Sequence, residues 1–250
     1  MKNKFFNHSV ANIYLKPSHN SEVVSQILYG EKFKILSKKD KWIKIKTLYD
    51  NYTGYILNRN FFFNFKPSHK IFVSKANIFI KKKNKFKKTN RFIFFASGIS
   101  KKRDFKGFLE IEKNRWVRKK DTKRINHIEK NFSKIFRLFV NSKYLWGGKT
   151  FDGIDCSALV QIYFYYNRLF FPRDTKDQIV YCKKKNTNRF SKGDIIFWKG
   201  HVGICINESK IIHAYGPKRK VLIMPIKQTI KLIHETAFLK VKKISNLKNI

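Results

Sequence analysis

One cysteine in the second half of the sequence lies where a nucleophile would be expected. Cys156 follows Gly153-Ile154-Asp155 and precedes an apolar helical pattern, which predicts a helix with Asp155 as its N-cap and Cys156 in its first turn. Unpaired backbone N–H groups and the helix macrodipole stabilise a thiolate at that position, so we expect a lowered pKa for this thiol. The alternative is a buried cysteine without chemistry.

Two histidines follow at the spacing of a β-hairpin. His201 begins the strand pattern His-Val-Gly-Ile-Cys-Ile, His213 ends the next strand pattern, and Asn207-Glu208-Ser209 is a turn sequence between them. On one face of such a hairpin, one imidazole could take the thiol proton while the other holds its orientation. Two structural histidines, or a zinc site shared with Cys156, are the alternatives. No spacing typical of zinc ligands supports the metal, and we expect no cofactor.

The elements around these residues carry four further patterns, which together resemble the nucleophile, base and orienting segments of NlpC-type murein peptidases. The segments are Tyr144–Gly148 with Gly153–Gln161, Pro172–Thr175 with Gln178, Lys192–Trp198 with Gly200–Ile204, and Ile212–Ala214. The resemblance spans residues 140–244. It implies a papain-like α+β domain in which helices pack on an antiparallel sheet.

Carried over by position, the resemblance implies a catalytic role for four residues. Cys156 would attack the substrate carbonyl, His201 would shuttle the proton and His213 would orient His201. The backbone N–H of Cys156 and the hydroxyl of Tyr144 would stabilise the oxyanion, each donor contributing roughly two to four kcal/mol.

Four other residues are implied to bind substrate. Asp155 and Ser157 border the thiol, and Asp155 would contact the substrate amine in addition to capping the helix. Arg173 would meet a substrate carboxylate, which suits a planar guanidinium, or else form an ion pair with Asp174. Tyr52 would reach from the N-terminal region to close off the substrate's N-terminus.

The N-terminal half reads as short strands, which predict small barrels. Residues 1–64 resemble a bacterial SH3-like domain, residues 65–120 resemble a second and degenerate one, and residues 121–250 form the peptidase domain. Within these bounds we expect a basic loop over residues 81–88, an amphipathic helix over residues 121–140, a helix over Cys156–Arg168 and a strand over Ala237–Ile244.

The composition limits the choice of partners and compartment. Lys and Arg number 56 against 16 Asp and Glu, but the lysines are dispersed through every segment, so no specific nucleic acid is expected. Three cysteines without a paired spacing suit a reducing compartment. No signal peptide or membrane segment is visible, which predicts a cytoplasmic protein, or an exported one if the true start lies upstream. We expect a monomer.

The function that the resemblance implies is hydrolysis of the γ-D-glutamyl-diamino acid bond in murein peptides with a free N-terminal L-Ala. Such a peptidase would take part in the recycling or turnover of cell-wall peptides. The alternatives are a non-catalytic protein that binds cell-wall fragments, or an amidase or acyltransferase that uses the same thioester chemistry.

Overall fold

The protein forms two compact units, Met1–Ile128 and Glu129–Ile250, in a computed structural model that describes residues 3–186 and 189–250. The first unit contains fourteen strands among the described residues. They are β1 (Lys4–Phe5), β2 (Val10–Tyr14), β3 (Val23–Leu28), β4 (Lys32–Lys39), β5 (Trp42–Thr47), β6 (Thr53–Leu57), β7 (His69–Ile71), β8 (Lys75–Lys82), β9 (Lys85–Phe94), β10 (Gly98–Ile99), β11 (Arg103–Phe105), β12 (Phe108–Glu112), β13 (Arg115–Arg118) and β14 (Thr122–Arg124).

The first sheet of this unit is antiparallel, with the strand order β1-β4-β5-β6-β2-β3. The alternation of apolar and charged residues in β5 explains why one face of this strand covers the core. Ile43 and Ile45 are buried, while Lys44 and Lys46 lie on the other face. The core beneath it contains Phe6, Ile13, Ile27, Phe33, Ile43, Ile45, Ile56 and Phe61. The short strands expected in this part of the N-terminal half are therefore confirmed.

A second set of strands has its own core. Its sheets have the orders β11-β12-β13-β8-β9 and β10-β7-β14, again with antiparallel pairs. Ten buried side chains form the core, namely Tyr29, Phe65, Ile71, Ala76, Ile78, Ile93, Ile99, Leu109, Ile111 and Val117.

The basic segment 81–88 is a β-hairpin, so the expectation of a loop was wrong. Lys81 pairs with Phe86 across the hairpin. The Phe86 ring stacks on Phe108 with centroids 3.9 Å apart, and the Lys81 ammonium lies 3.7 Å from the centroid of the Phe105 ring. The lysine side chains lie beside aromatic rings on this hairpin. In the sequence they form a run of charge in which the alternation typical of a strand cannot be recognised.

The second unit contains four helices and seven strands among the described residues. They are α1 (Phe132–Arg137), β15 (Lys149–Thr150), β16 (Gly153–Ile154), α2 (Cys156–Asn167), α3 (Thr175–Tyr181), β17 (Asp194–Trp198), β18 (His201–Cys205), β19 (Lys210–Tyr215), β20 (Lys220–Pro225), α4 (Ile226–Ala237) and β21 (Lys243–Asn246). The main sheet is antiparallel with the order β20-β19-β18-β17-β21, and α2 packs on β18 and β19.

Two expected elements differ in the structure. Only Phe132–Arg137 of the segment 121–140 is helical, because Thr122–Arg124 pairs with β7 and the Ile125 N–H donates to the Ser68 carbonyl at 2.9 Å. The apolar spacing there continues across a strand and a loop. The strand expected over 237–244 is also wrong, because Ala237 ends α4 and β21 begins at Lys243.

Helix α4 was not predicted from the sequence, although its spacing is helical. Ile226, Thr229 and Ile233 are buried at intervals of three and four residues. Within residues 3–186 and 189–250, no helix combines the length and apolarity needed to cross a membrane.

Candidate active site

The start of α2 places Cys156 as the sequence predicted. Asp155 has extended backbone angles, and its side chain accepts a hydrogen bond from the Ala158 N–H at 2.8 Å, as an N-cap residue does. Cys156 is the first helical residue and is only 4% exposed. The helix ends at Asn167, with Arg168 in the left-handed region as its C-cap, one residue earlier than expected.

The sulfur of Cys156 is enclosed by the residues on either side of His201. The backbone N–H of Val202 donates to the sulfur, and the Gly200 carbonyl oxygen lies 3.9 Å from it. The Thr175 hydroxyl, at the start of α3, is also 3.9 Å away. The turn between β17 and β18 thus brings the backbone of His201 to the first turn of α2. Val202 and Thr175 were not among the expected site residues, although Thr175 belongs to the quoted Pro172–Thr175 segment.

His201 and His213 are in direct contact on the hairpin of β18 and β19. Nε2 of His201 lies 3.0 Å from Nδ1 of His213, within hydrogen-bond distance. Both rings are buried, with His213 fully enclosed, and Tyr215 stacks on the His213 ring at an interplanar angle of 20°. The structure therefore confirms that the two imidazoles are neighbours across the hairpin. Their catalytic roles stay predictions.

The hydrogen bond restricts which tautomers the two imidazoles can adopt. For Nδ1 of His201 to accept the thiol proton, Nε2 must carry the hydrogen and donate it to Nδ1 of His213. His213 is then protonated at Nε2, a buried atom that has no hydrogen-bond partner within the described part of the chain. The tautomer that leaves His201 able to act as a base therefore leaves one N–H of His213 unsatisfied.

Burial dominates the electrostatics of this site. It raises the pKa of the Cys156 thiol to about 11, with the negative charge of Asp155 as the next contribution. It lowers the pKa of His201 to about 3 and that of His213 to about 4. Burial therefore favours the neutral thiol and the neutral imidazole, and the lowered thiol pKa expected from the helix position is opposed by desolvation. A role for His201 as the general base stays a prediction.

Tyr144 lies close enough to Cys156 for their charges to interact. Burial raises the pKa of the Tyr144 phenol, and a charge on Cys156 would raise it further, so the hydroxyl is a proton donor at neutral pH. Its backbone N–H donates to the Arg219 carbonyl at 2.9 Å, and its ring lies close to Gly216. These neighbours fix the position of the residue, and the role of its hydroxyl in stabilising an oxyanion stays a prediction.

Asp155 and Arg173 form a buried ion pair at the N-terminus of α2. The guanidinium donates to both carboxylate oxygens, at 3.0 Å and 2.6 Å, and also to the Ser157 hydroxyl at 2.9 Å. The Asp155 and Arg173 side chains are 7% and 2% exposed. The structure therefore gives Arg173 the carboxylate of Asp155 as a partner. Contact of Asp155, Ser157 or Arg173 with substrate stays a prediction.

The remaining expected site residue lies in the first unit. Tyr52 follows the turn after β5, and its hydroxyl donates to the Val24 carbonyl at 3.3 Å. Its proposed contact with substrate stays a prediction. No group of three or more His, Cys, Asp or Glu side chains within residues 3–186 and 189–250 is arranged to hold a metal ion.

Comparison with known proteins identifies both parts of the chain. Residues 141–238 match the NlpC/P60 family, and residues 9–61 match the bacterial SH3 domain. The chain carries an NlpC/P60 cysteine peptidase domain preceded by a bacterial SH3 domain. The match to the NlpC/P60 family includes the Cys156, His201 and His213 positions.

Two curated relatives cover most of the chain. Dipeptidyl-peptidase 6 of Lysinibacillus sphaericus is 25% identical over 82% of this chain and 84% of its own length. The γ-D-glutamyl-L-lysine dipeptidyl-peptidase of Bacillus subtilis is 24% identical over 83% of this chain and 77% of its own length. A crystal structure of an NlpC/P60 family protein from Bacillus cereus superposes with a TM-score of 0.78, at 18% identity, over 90% of this chain and 94% of that one, so the two share a fold.

Proposed function

We propose that this protein hydrolyses the γ-D-glutamyl bond to a diamino acid in murein-derived peptides and releases the N-terminal dipeptide. The proposal rests on one observation above others. The thiol at the start of α2 is enclosed by both neighbours of His201, which is itself hydrogen-bonded to His213. Similarity to two dipeptidyl-peptidases over more than three quarters of each length supports the choice of bond.

The reaction follows from the neutral resting state. Sγ of Cys156 attacks the γ-carbonyl carbon of the D-glutamyl residue as its proton passes to His201, and the carbonyl oxygen becomes an oxyanion. The backbone N–H of Cys156 and the hydroxyl of Tyr144 are the donors for that oxyanion. The C–N bond then breaks, and His201 returns the proton to the leaving amine.

The second half of the reaction hydrolyses the thioester. His201 takes a proton from water as the water oxygen attacks the thioester carbonyl. The C–S bond then breaks to give a free carboxylic acid, and His201 returns the proton to the leaving sulfur to restore the Cys156 thiol. His213 holds the imidazole of His201 in place during both proton transfers.

We also propose a role for the N-terminal half within this function. The separate core of the second set of strands supports assignment of residues 65–120 as a second, degenerate SH3-like barrel, before a papain-like peptidase domain in residues 121–250. Contact of Tyr52 with the substrate stays a prediction. We propose short free peptides rather than the intact wall as the substrates.

The test is cleavage of L-Ala-γ-D-Glu-diaminopimelate, followed by chromatography of the released dipeptide. The wild type should cleave it, Cys156→Ala should not, and Cys182→Ala should retain activity as a control for replacing a buried cysteine. Failure of the wild type to cleave would contradict the proposal. An N-acetylated peptide tests whether the amine is recognised, and transfer of the dipeptide to an added amine instead of water would identify an acyltransferase.

A further inference from the structure

Arg173 is deeply buried, and both of its Nη atoms are engaged in hydrogen bonds within the protein. The residue is 3% exposed and lies in the loop before α3. Its Nη1 donates to Asp155 Oδ1 and the Ser157 hydroxyl, and its Nη2 donates to Asp155 Oδ2 and, at 3.4 Å, to the Gly148 carbonyl. All four contacts point into the protein. A guanidinium engaged in this way has little capacity left for a substrate carboxylate.

The carboxylate of Asp155 is saturated in turn. Oδ1 accepts from Ser157 Oγ at 3.1 Å, Ala158 N at 2.8 Å and Arg173 Nη1 at 3.0 Å. Oδ2 accepts from Gly147 N at 3.0 Å and Arg173 Nη2 at 2.6 Å. A carboxylate offers about four lone-pair sites, so these five donors leave no free acceptor position. A substrate ammonium could bind Asp155 only by displacing one of the donors.

The network joins the segments that present the reacting groups. Gly147 and Gly148 end the segment that begins with Tyr144, while Asp155 and Ser157 flank Cys156. Gly148 approaches the backbone so closely that a Cβ there would lie 2.5 Å from the Gly153 carbonyl oxygen. The planar fork of Arg173 spans this junction with four hydrogen bonds, which a lysine ammonium cannot reproduce in the same geometry.

We infer that Arg173 is a positioning residue that locks the Asp155 carboxylate and so holds the Tyr144–Gly148 segment against the first turn of α2, without touching substrate. This inference concerns the same site and rests on the function proposed above. It replaces the expectation that Arg173 meets a substrate carboxylate. Loss of a positioning residue lowers kcat on every substrate, whereas loss of a residue that binds the substrate carboxylate raises KM only for substrates that carry this group.

The first test compares Arg173→Lys with the wild type on two peptides, L-Ala-γ-D-Glu-diaminopimelate and the same peptide with the D-Glu α-carboxylate amidated. Displacement of the oxyanion donors should lower kcat roughly 10- to 100-fold on both peptides and leave KM within about twofold. A rise in KM confined to the carboxylate peptide would show that Arg173 binds that group and would overturn the inference. Arg137→Lys, on the exposed face of α1, is the matched control.

The second test needs no substrate. Alkylation of Cys156 by iodoacetamide at pH 8.5, measured by mass spectrometry of the Cys156 peptide, should be about tenfold slower in Arg173→Met because Asp155 then carries an uncompensated charge beside the sulfur. Arg173→Lys should be intermediate and Arg137→Lys unchanged. Equal rates in all four proteins would overturn the inference.

The two tests separate the inference from the proposed function. A wild type that cleaves no peptide would contradict the function, whereas the alkylation rates would still test whether Arg173 holds and neutralises the Asp155 carboxylate beside Cys156. Thermal unfolding of each variant checks that it is folded. If Arg173→Met fails to fold, the comparison of Arg173→Lys with Arg137→Lys carries the test.

Discussion

Nε2 of His201 and Nδ1 of His213 lie 3.0 Å apart in a buried pair whose outer nitrogen, Nε2 of His213, has no hydrogen-bond partner within residues 3–186 and 189–250. In the proposed mechanism the orienting group is therefore a neutral imidazole. It would fix the tautomer and the rotation of His201, but it brings no negative charge to stabilise an imidazolium. That mechanism accordingly requires the thiol proton to reach His201 as the negative charge develops on the substrate oxygen.

Replacement of His213 should therefore lower kcat and leave KM nearly unchanged. In His213→Ala the Nε2–H of His201 loses its acceptor and the ring loses its fixed rotation, so we expect kcat to fall about 100-fold. His213→Gln, which keeps an amide oxygen as acceptor, should recover part of the loss. Steady-state kinetics on the γ-D-glutamyl peptide measures both effects.

The control for this prediction is His234→Ala, since His234 is exposed on α4. It should retain the wild-type kcat. If His213→Ala also retained it, His213 would be a structural residue of the hairpin, and another group would have to orient His201.

Stability should fall in mild acid because both histidines are buried in the neutral form. Burial lowers the pKa of His201 to about 3 and that of His213 to about 4, below the ordinary value of 6.5. Between these values and pH 6.5 the unfolded chain binds more protons than the folded one, so the free energy of unfolding decreases as the pH falls from 6.5 toward 4. The slope is about 1.4 kcal/mol per pH unit for each histidine.

Urea unfolding of the full chain at pH 7, 6 and 5 measures this slope. His201→Gln should show a shallower dependence than the wild type, because it removes one of the titrating groups and leaves the others in place. Identical slopes for the two proteins would show that His201 does not lose its proton on folding.

The reactivity of Cys156 should rise steeply with pH. Since burial raises the pKa of this thiol to about 11, the thiolate fraction at pH 7 is small and should increase about tenfold per pH unit up to about pH 10. Alkylation of Cys156 by iodoacetamide, followed across pH 6 to 10 without substrate, reports that fraction. A rate that reached its plateau below pH 7 would instead indicate a thiolate–imidazolium pair and would restore the expectation from the helix position.

The sequence predicted the parts of the site that depend on local chemistry. Asp155 as N-cap, Cys156 in the first turn, and the neighbouring histidines of the hairpin all follow from short-range patterns. The pKa of Cys156 could not be predicted in this way, because it depends on how completely β18 and α3 cover the sulfur. Nor could the partner of Arg173, since the ion pair with Asp155 joins residues 18 positions apart along the chain.

The fold shows the same division between local and long-range information. The short strands of the N-terminal half were predicted in kind. The helix predicted over residues 121–140 was longer than α1, because Ile125 and Ile128 continue the helical spacing by coincidence. Pairing of β14 with β7 is a tertiary contact that no window of the sequence reports. The lysines of β8 and β9 concealed a hairpin for a related reason, since Lys81 and Phe86 find their aromatic partners on β11, β12 and β13, far along the chain.

Tyr144→Phe separates the hydroxyl of this residue from the packing of its ring. The ring contacts at Gly216 and the backbone hydrogen bond to Arg219 survive the substitution, so the variant should fold as the wild type does. Loss of one oxyanion donor should lower kcat by a factor that corresponds to roughly two to four kcal/mol, with KM nearly unchanged. Tyr181→Phe, in an exposed position on α3, is the matched control and should keep full activity. A Tyr144→Phe variant as active as that control would leave the backbone N–H of Cys156 as the main oxyanion donor, and an effect confined to KM would make Tyr144 a substrate-binding residue instead.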